Sequence, residues 1–414
     1  MSKTVKVQPN LQFVKELQEI GGDSLKKCYQ CATCSVVCPL SPADNPYPRK
    51  EMVWAQWGLK DKLTSDIDIW LCHNCGDCSD LCPRGARPGD LLAALRNMAY
   101  RDLSKPAIIG EWMSSPAKLP VLAAIPAFIF LVIWGIMAFV NGSVFPEGEI
   151  VFGKLFPGDY TVDPLFGLVF AFMALTFYAG SKRLIASFGD QPEVFAVGAD
   201  GKRPSMLQCF IDVMKEEVIT HSKFRGCGQE TVDDEMKFQG HFTLMWSFVA
   251  LMIVTGTVAV GHWGSWALHK MGMDNIIIDL IHWFGTTPMP LWSPIKILAN
   301  IGMFLMLYGL TLLTKRRMDL DKTKHVSSWY DNYLLVIIWA VALTGSFSQF
   351  LRLAEIPYLA YPMYYFHLIS VFMLFAYMPW SKLGHLVYRT VALTYARYIG
   401  RLPMQSKEEK TFYL

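Results

Sequence analysis

The chain has almost no cysteine outside two short stretches, almost no net charge and no sign of a β-strand. Strict apolar–polar alternation is absent from the N-terminal part of its 414 residues, so a sheet-built domain is not expected there. Lysine and arginine number 38 against 35 acidic residues, a net charge of +3, which leaves no electrostatic footprint for nucleic acid. Met1 to Asn10 contain no apolar core and no cleavage site and are not read as a secretory signal. Gly226-Cys227-Gly228 is too short for a dinucleotide fingerprint and follows no strand. Of ten cysteines only Cys209 and Cys227 lie outside the two stretches, and both are read as structural thiols. That usage argues against a disulfide framework and for a reducing compartment.

What is present is specific. Residues 28–39 read Cys28-x2-Cys31-x2-Cys34-x3-Cys38-Pro39, and residues 72–83 repeat the run as Cys72-x2-Cys75-x2-Cys78-x3-Cys82-Pro83. Three thiolates spaced in this way wrap one loop around three corners of a cubic cluster, and the fourth corner takes a ligand from elsewhere. Doubled, the run is the ligand pattern of a protein with two [4Fe–4S] clusters whose fourth cysteines cross over. One cluster is expected on Cys28, Cys31, Cys34 and Cys82, the other on Cys72, Cys75, Cys78 and Cys38. Each proline ends its loop. Zinc is the competing reading, but it takes two separated cysteine pairs in a tetrahedron. The chain is expected to move electrons.

The first hundred or so residues are polar and read as helical. Asn10 caps a helix carrying Leu11, Val14, Leu17 and Ile20 at helical spacing, and Gly21-Gly22 stop it. Six later segments are long enough to cross a bilayer core of about 30 Å: roughly 120–140, 164–181, 241–262, 294–314, 331–352 and 362–381. The expected fold class is all-α. A helical ferredoxin domain over 1–110 precedes a six-helix membrane bundle of cytochrome b type over 115–390, with a loop at 182–240 and a tail at 391–414.

Loops 182–240 and 315–330 and the tail after 381 are rich in lysine and arginine, whereas 141–163, 263–293 and 353–361 hold only Lys154 and Lys270. This asymmetry places both termini and the cluster domain on the cytoplasmic side of a multi-pass protein of the cell membrane. Ile276, Ile277, Ile278, Leu280 and Ile281 predict a short helix within 274–284 lying on the outer face.

Four of the nine histidines, His241, His262, His367 and His385, stand at span ends, where an ionisable group is costly and reads as functional. In a redox protein imidazole is an axial haem ligand, and two helices with two histidines each would hold two b-type haems across the bilayer. His367 and His385 are 18 residues apart, about five turns and about 27 Å along one helix. His241 and His262 are 21 apart, about 31 Å. Opposed spans then pair His241 with His385 near the cytoplasm and His262 with His367 near the outside. His73, inside the second motif, is read as packing against or tuning a cluster, and His221 and His325 as ordinary loop residues.

On these motifs, residues 1–105 resemble the small iron–sulfur subunit of heterodisulfide reductases. Residues 115–390 resemble their membrane cytochrome b subunit, which is similar to the gamma subunit of respiratory nitrate reductase. In that subunit two histidines on one helix share the spacing of His367 and His385. The fused order resembles the membrane subunit of quinone-interacting membrane-bound oxidoreductase (Qmo) complexes of sulfate-reducing prokaryotes. The resemblance implies a subunit that exchanges electrons with menaquinone through two haems b and two clusters. Its partners would be two soluble flavin and iron–sulfur subunits serving adenylylsulfate reductase, which docks to the complex, in sulfate respiration.

The resemblance also implies a quinone near the outer haem, with His269, Lys270, His282, Arg352 and Glu355 as candidates; Arg352 and Glu355 could instead form an ion pair. The wide spacing of His241 and His262 departs from the pattern, so the outer haem's second ligand stays open between His262, His269 and His282. Alternatives are a subunit serving a heterodisulfide-type or sulfite-reductase-linked partner, and, in a different class, a transporter or anchor without haem. The spans lack the broken-helix halves and internal acidic residues of transporters.

Overall fold

The computed structural model describes residues 8–41, 45–189, 204–225 and 233–401. Among these the regular structure is helical, without strands. Asn10 caps Leu11–Leu17 as its side chain accepts from the Phe13 amide at 2.9 Å. The chain then makes one wide turn and reverses at Gly21, whose φ of 142° suits glycine alone. Short helices at Arg49–Gln56, Lys60–Thr64 and Asp68–Leu71 separate the cysteine motifs, and the longer Pro88–Leu103 follows them. Trp70, Tyr100, Leu91, Leu95 and Met98 from these elements are buried together.

Among the described residues, six helices are long and apolar enough to span a membrane: Pro116–Val140, Gly158–Ser187, Glu235–Lys270, Pro294–Asp319, Trp329–Leu353 and Pro357–Ala376. The third and fourth cross closely. A β-carbon on Gly309 would sit 2.7 Å from Thr243 Oγ1 and 2.8 Å from the Gly240 carbonyl, the small-residue contact that lets membrane helices approach. Asn275 caps the expected surface helix, Ile276–Gly285, which exposes Ile276, Ile277 and Leu280. It folds back onto the third span where Gly285 meets Gly261.

The sixth span corrects one expectation. It ends at Ala376 rather than running on to His385, and short turns at Met378–Trp380 and Lys382–Gly384 precede a separate helix, His385–Tyr398. Pro379 lies in this break, and a proline cannot donate to the preceding turn. His367 and His385 therefore do not share one helix. The expected boundary at 390 also falls inside a helix rather than between domains.

That last helix joins the two halves. Tyr388 packs on Trp70, Tyr100 and Phe177, with ring centroids 6.4, 6.3 and 5.3 Å away. Its hydroxyl lies 2.8 Å from Ser104 Oγ, which donates to the Pro379 carbonyl. Arg389 donates to the Trp70 carbonyl, and Arg401 binds both oxygens of the buried Asp68. From the loop between the fourth and fifth spans, the Thr323 carbonyl accepts from Arg87 and the Val326 amide donates to Asp90. The cluster domain is thereby clamped to one end of the bundle.

Candidate functional site

The two cysteine loops are built alike. In the first, Gln30 and Ala32 take φ of 63° and 70°; in the second, Asn74 and Gly76 take 53° and 110°. Left-handed residues flanking the middle cysteine curl each loop so that its three thiols converge, a conformation that costs energy for a residue other than glycine. A one-turn helix follows each, Thr33–Val36 and Asp77–Asp80.

Cys28, Cys31, Cys34 and Cys82 line one cavity, together with Arg49 and Arg84. Cys38, Cys72, Cys75 and Cys78 line a second, together with His73 and Tyr47. The fourth cysteine of each run thus stands with the other run's three. Polar groups meet the sulfurs: Gln30 Nε2 donates to Cys28 Sγ at 3.3 Å and the Asn74 amide to Cys72 Sγ at 3.3 Å. Burial, then the neighbouring Cys28, pushes the Cys34 thiol up to about 11; burial, then Cys72, pushes Cys38 up to about 12. Thiolates crowded like this need a cationic core among them, and two cubic iron–sulfur clusters fit both the donor set and its doubling.

The second cavity faces the bundle. Lys237, on the third span, donates to the His73 and Asn74 carbonyls at 3.2 and 2.9 Å. His73 Nε2 lies 3.1 Å from Glu217, which also pairs with Arg389 at 3.4 Å. His325 Nε2 lies 3.2 Å from Asp80 and packs on Gly76. Neither His325 nor His221 is an ordinary loop residue. His325 lies against the second cysteine loop, and His221 is buried with Nε2 2.9 Å from His241 Nδ1. Sequence carried no signal for either, because both lie in loops without a motif.

His241 and His385 come together. Their ring centroids are 6.3 Å apart at 60°. Two imidazoles on opposite sides of one metal stand about 6 Å apart, given metal–nitrogen bonds of about 2 Å. His385 Nδ1 donates to the Lys382 carbonyl at 2.7 Å, and His241 Nδ1 is taken by His221. Each ring therefore keeps Nε2 for another partner, as a haem-ligating histidine requires.

The outer pair is not assembled. His262 Nε2 lies 2.7 Å from Asp159 and its ring rests on Trp263. His367 Nδ1 lies 3.1 Å from Thr344 Oγ1, and its ring fills the space beside Gly345. Among the described residues no ring contact joins His262 to His367, and His262 pairs with Asp159 at the start of the second span. Of the quinone candidates, His282 Nδ1 lies 3.1 Å from Ser265 Oγ, and its ring stands 6.4 Å from that of His269. Lys270 and Glu355 are exposed, and among the described residues Arg352 and Glu355 make no ion pair with each other. Cys209 is buried on Met206–Val213. Cys227 lies outside the described residues.

Similarity to known proteins falls on the first half of this geometry. Residues 24–86 match a 4Fe-4S dicluster domain family. The chain is similar to the C-subunit of the H2:CoB-CoM heterodisulfide, ferredoxin reductase of Methanothermobacter marburgensis, 38% identical over 91 residues, 22% of this chain and 49% of that protein. It is also similar to an iron–sulfur C-subunit of a CoB–CoM heterodisulfide reductase from Methanocaldococcus jannaschii, 39% identical over 98 residues, 22% of this chain and 52% of the other. A protein of Archaeoglobus profundus, itself described as like the heterodisulfide reductase C-subunit, matches at 32% over 100 residues, 24% and 53%. The chain spans about half the length of these curated relatives. No solved structure matches. The N-terminal part is thus similar to the iron–sulfur C-subunits of heterodisulfide reductases and matches a two-cluster domain family, and it precedes six helices that, among the described residues, are long and apolar enough to cross a membrane.

Proposed function

We propose that this chain is the membrane electron-transfer subunit of a quinone-linked oxidoreductase. It holds two [4Fe–4S] clusters, on Cys28, Cys31, Cys34 and Cys82 and on Cys72, Cys75, Cys78 and Cys38. Two b-type haems complete it, an inner one between His241 and His385 and an outer one on His367. His262 joins the outer haem only by leaving Asp159. The cluster domain stands on the cytoplasmic side, as the lysine and arginine of its loops favour. Bound, these groups carry single electrons between menaquinone and soluble flavin and iron–sulfur subunits serving adenylylsulfate reductase. The protein's own contribution is ligation, spacing and tuning.

The observation that carries the reading is the facing of His241 and His385, Nδ1 occupied on both rings, beside the second cysteine cavity. A reduced-minus-oxidised visible spectrum with haem quantified per chain tests it. Two b-type haems are expected, one of them absent from His385→Ala. A chain that keeps its clusters and binds no haem is an anchor or transporter instead. A second reading, service to a heterodisulfide-type partner, is favoured by the similarity of the N-terminal part to heterodisulfide reductase proteins, and purification with native partners separates the two.

A further inference from the structure

His221 stands at the tip of a turn that the rest of the molecule has to hold in place. Its backbone takes φ of 50°, a left-handed conformation uncommon outside glycine and one that clusters at functional sites. Met214–Ile219 leads into the turn and Ser222–Arg225 leads out. The side chain is 3% exposed. Phe224 and Phe242 enclose it edge-on, with centroids 5.8 and 5.7 Å away. Phe224 also stacks on His241 at 5.2 Å. Such an enclosure leaves the ring one use, the 2.9 Å contact between its Nε2 and Nδ1 of His241.

The direction of that hydrogen bond follows from the axial-ligand reading of His241. His221 Nδ1 is buried without a hydrogen-bond partner, so the contact with His241 is what its ring offers. A histidine that binds a metal through the lone pair of Nε2 carries its proton on Nδ1. His241 Nδ1–H then donates to His221 Nε2, and the lone pair of His241 is on its own Nε2. His385 reaches the same tautomer by a different route, donating Nδ1–H to the Lys382 carbonyl.

We infer that His221 is the positioning residue of the inner haem site, fixing the tautomer and ring orientation of His241 so that its Nε2 faces His385. An outer partner of this kind also raises the basicity of the ligand. Imidazole is a stronger acceptor than a backbone carbonyl, so His241 is the more electron-rich ligand of the two and favours the oxidised iron. Glu217, four residues before His221, binds His73 beside the second cysteine tetrad. One short segment, 217–224, thus touches both redox sites.

The inference rests on the axial-ligand reading of His241 and His385, and the test separates the two. The whole chain is purified as wild type, His221→Leu, His221→Gln and His241→Ala. Haem per chain, the low-spin electron paramagnetic resonance spectrum and the haem midpoint potentials are read. His221→Leu is expected to shift one low-spin signal and raise one midpoint potential, or to lose that haem selectively. His221→Gln, whose side-chain oxygen accepts from His241 Nδ1, is expected to restore the wild-type signal. If His241→Ala loses a haem while His221→Leu matches wild type in signal and potential, the positioning role is wrong and the ligand reading stands. Equal loss in His221→Leu and His221→Gln overturns it as well, because the ring is then merely structural. If wild type has no haem, or His241→Ala keeps both, the ligand reading falls and the positioning role with it.

Discussion

The ring of His325 lies so close to Gly76 that a β-carbon on the glycine would come within 2.6 Å of His325 Cε1. Gly76 also sits at φ 110°, directly after Cys75. The loop between the fourth and fifth spans therefore presses on the second cysteine loop at the residue least able to bear a side chain. Gly76→Ala is expected to cost about 1–3 kcal/mol from backbone strain, with the steric contact in addition. Iron bound at the second site should fall before iron at the first. Iron and sulfide content, with electron paramagnetic resonance of the reduced protein, measures this. Equal loss from both sites would show that the strain at Gly76 is not confined to the second cysteine loop.

The crossing of the fourth cysteines has its own test. Cys82 lines the cavity of the first run and Cys38 that of the second. Cys82→Ser is expected to convert or remove the cluster of Cys28, Cys31 and Cys34, and Cys38→Ser the other. Each variant should retain one spectroscopically intact cluster. The reverse pattern would mean that each run binds its own cluster.

Tyr388 holds the two halves together through both its ring and its hydroxyl. Tyr388→Phe removes the hydroxyl that meets Ser104 Oγ, while Ser104 keeps its bond to the Pro379 carbonyl, and is expected to cost about 1 kcal/mol. Tyr388→Ala also opens a cavity among Trp70, Tyr100 and Phe177, and a cost of about 3–5 kcal/mol is expected. Denaturant unfolding of the clustered protein in detergent reads both values. Near-neutral behaviour of the alanine variant would show that the halves do not depend on this contact.

A pH dependence follows from Asp90. Burial raises its carboxyl to about 6 from 3.8, although the Val326 amide and Arg87 both favour the ionised form. A folded-state value above the unfolded one means that the folded protein binds the extra proton between these limits. Stability linked to Asp90 is therefore full below about pH 4 and is lost as pH rises through about 6. Wild type is expected to be more resistant to denaturant at pH 5.5 than at pH 7.5, and Asp90→Asn to lose most of that difference. An unchanged difference in the variant would assign the effect to other groups.

Much of this molecule was legible in its sequence because the signals are local. Thiol spacing is dictated by the corners of a cluster, so both motifs could be read without knowing the fold. A run of some twenty apolar residues has one stable solution in a bilayer, so six spans emerged from length and composition. The cap at Asn10 and the surface helix from Ile276 are likewise decided within a few residues. The histidines were harder. Spacing alone put His367 and His385 on one helix, and the helix breaks around Pro379. Spacing also opposed His262 to His367, and Asp159 takes His262 instead.

Composition and motif therefore determined by themselves that this is a helical chain with two cysteine tetrads and, among the described residues, six helices long and apolar enough to cross a membrane. Each of those properties is a sum over neighbouring residues, and sums of that kind survive ignorance of the fold. Only the tertiary structure decided that His221 lies on His241, that His325 presses on Gly76, and that Glu217 and Arg389 bind the loop of the second tetrad. Those partners are distant in sequence, and a hydrogen bond or a ring contact acts over a few ångströms. Which nitrogen of His241 stays free for His385 is settled by a neighbour twenty residues away that only folding brings close.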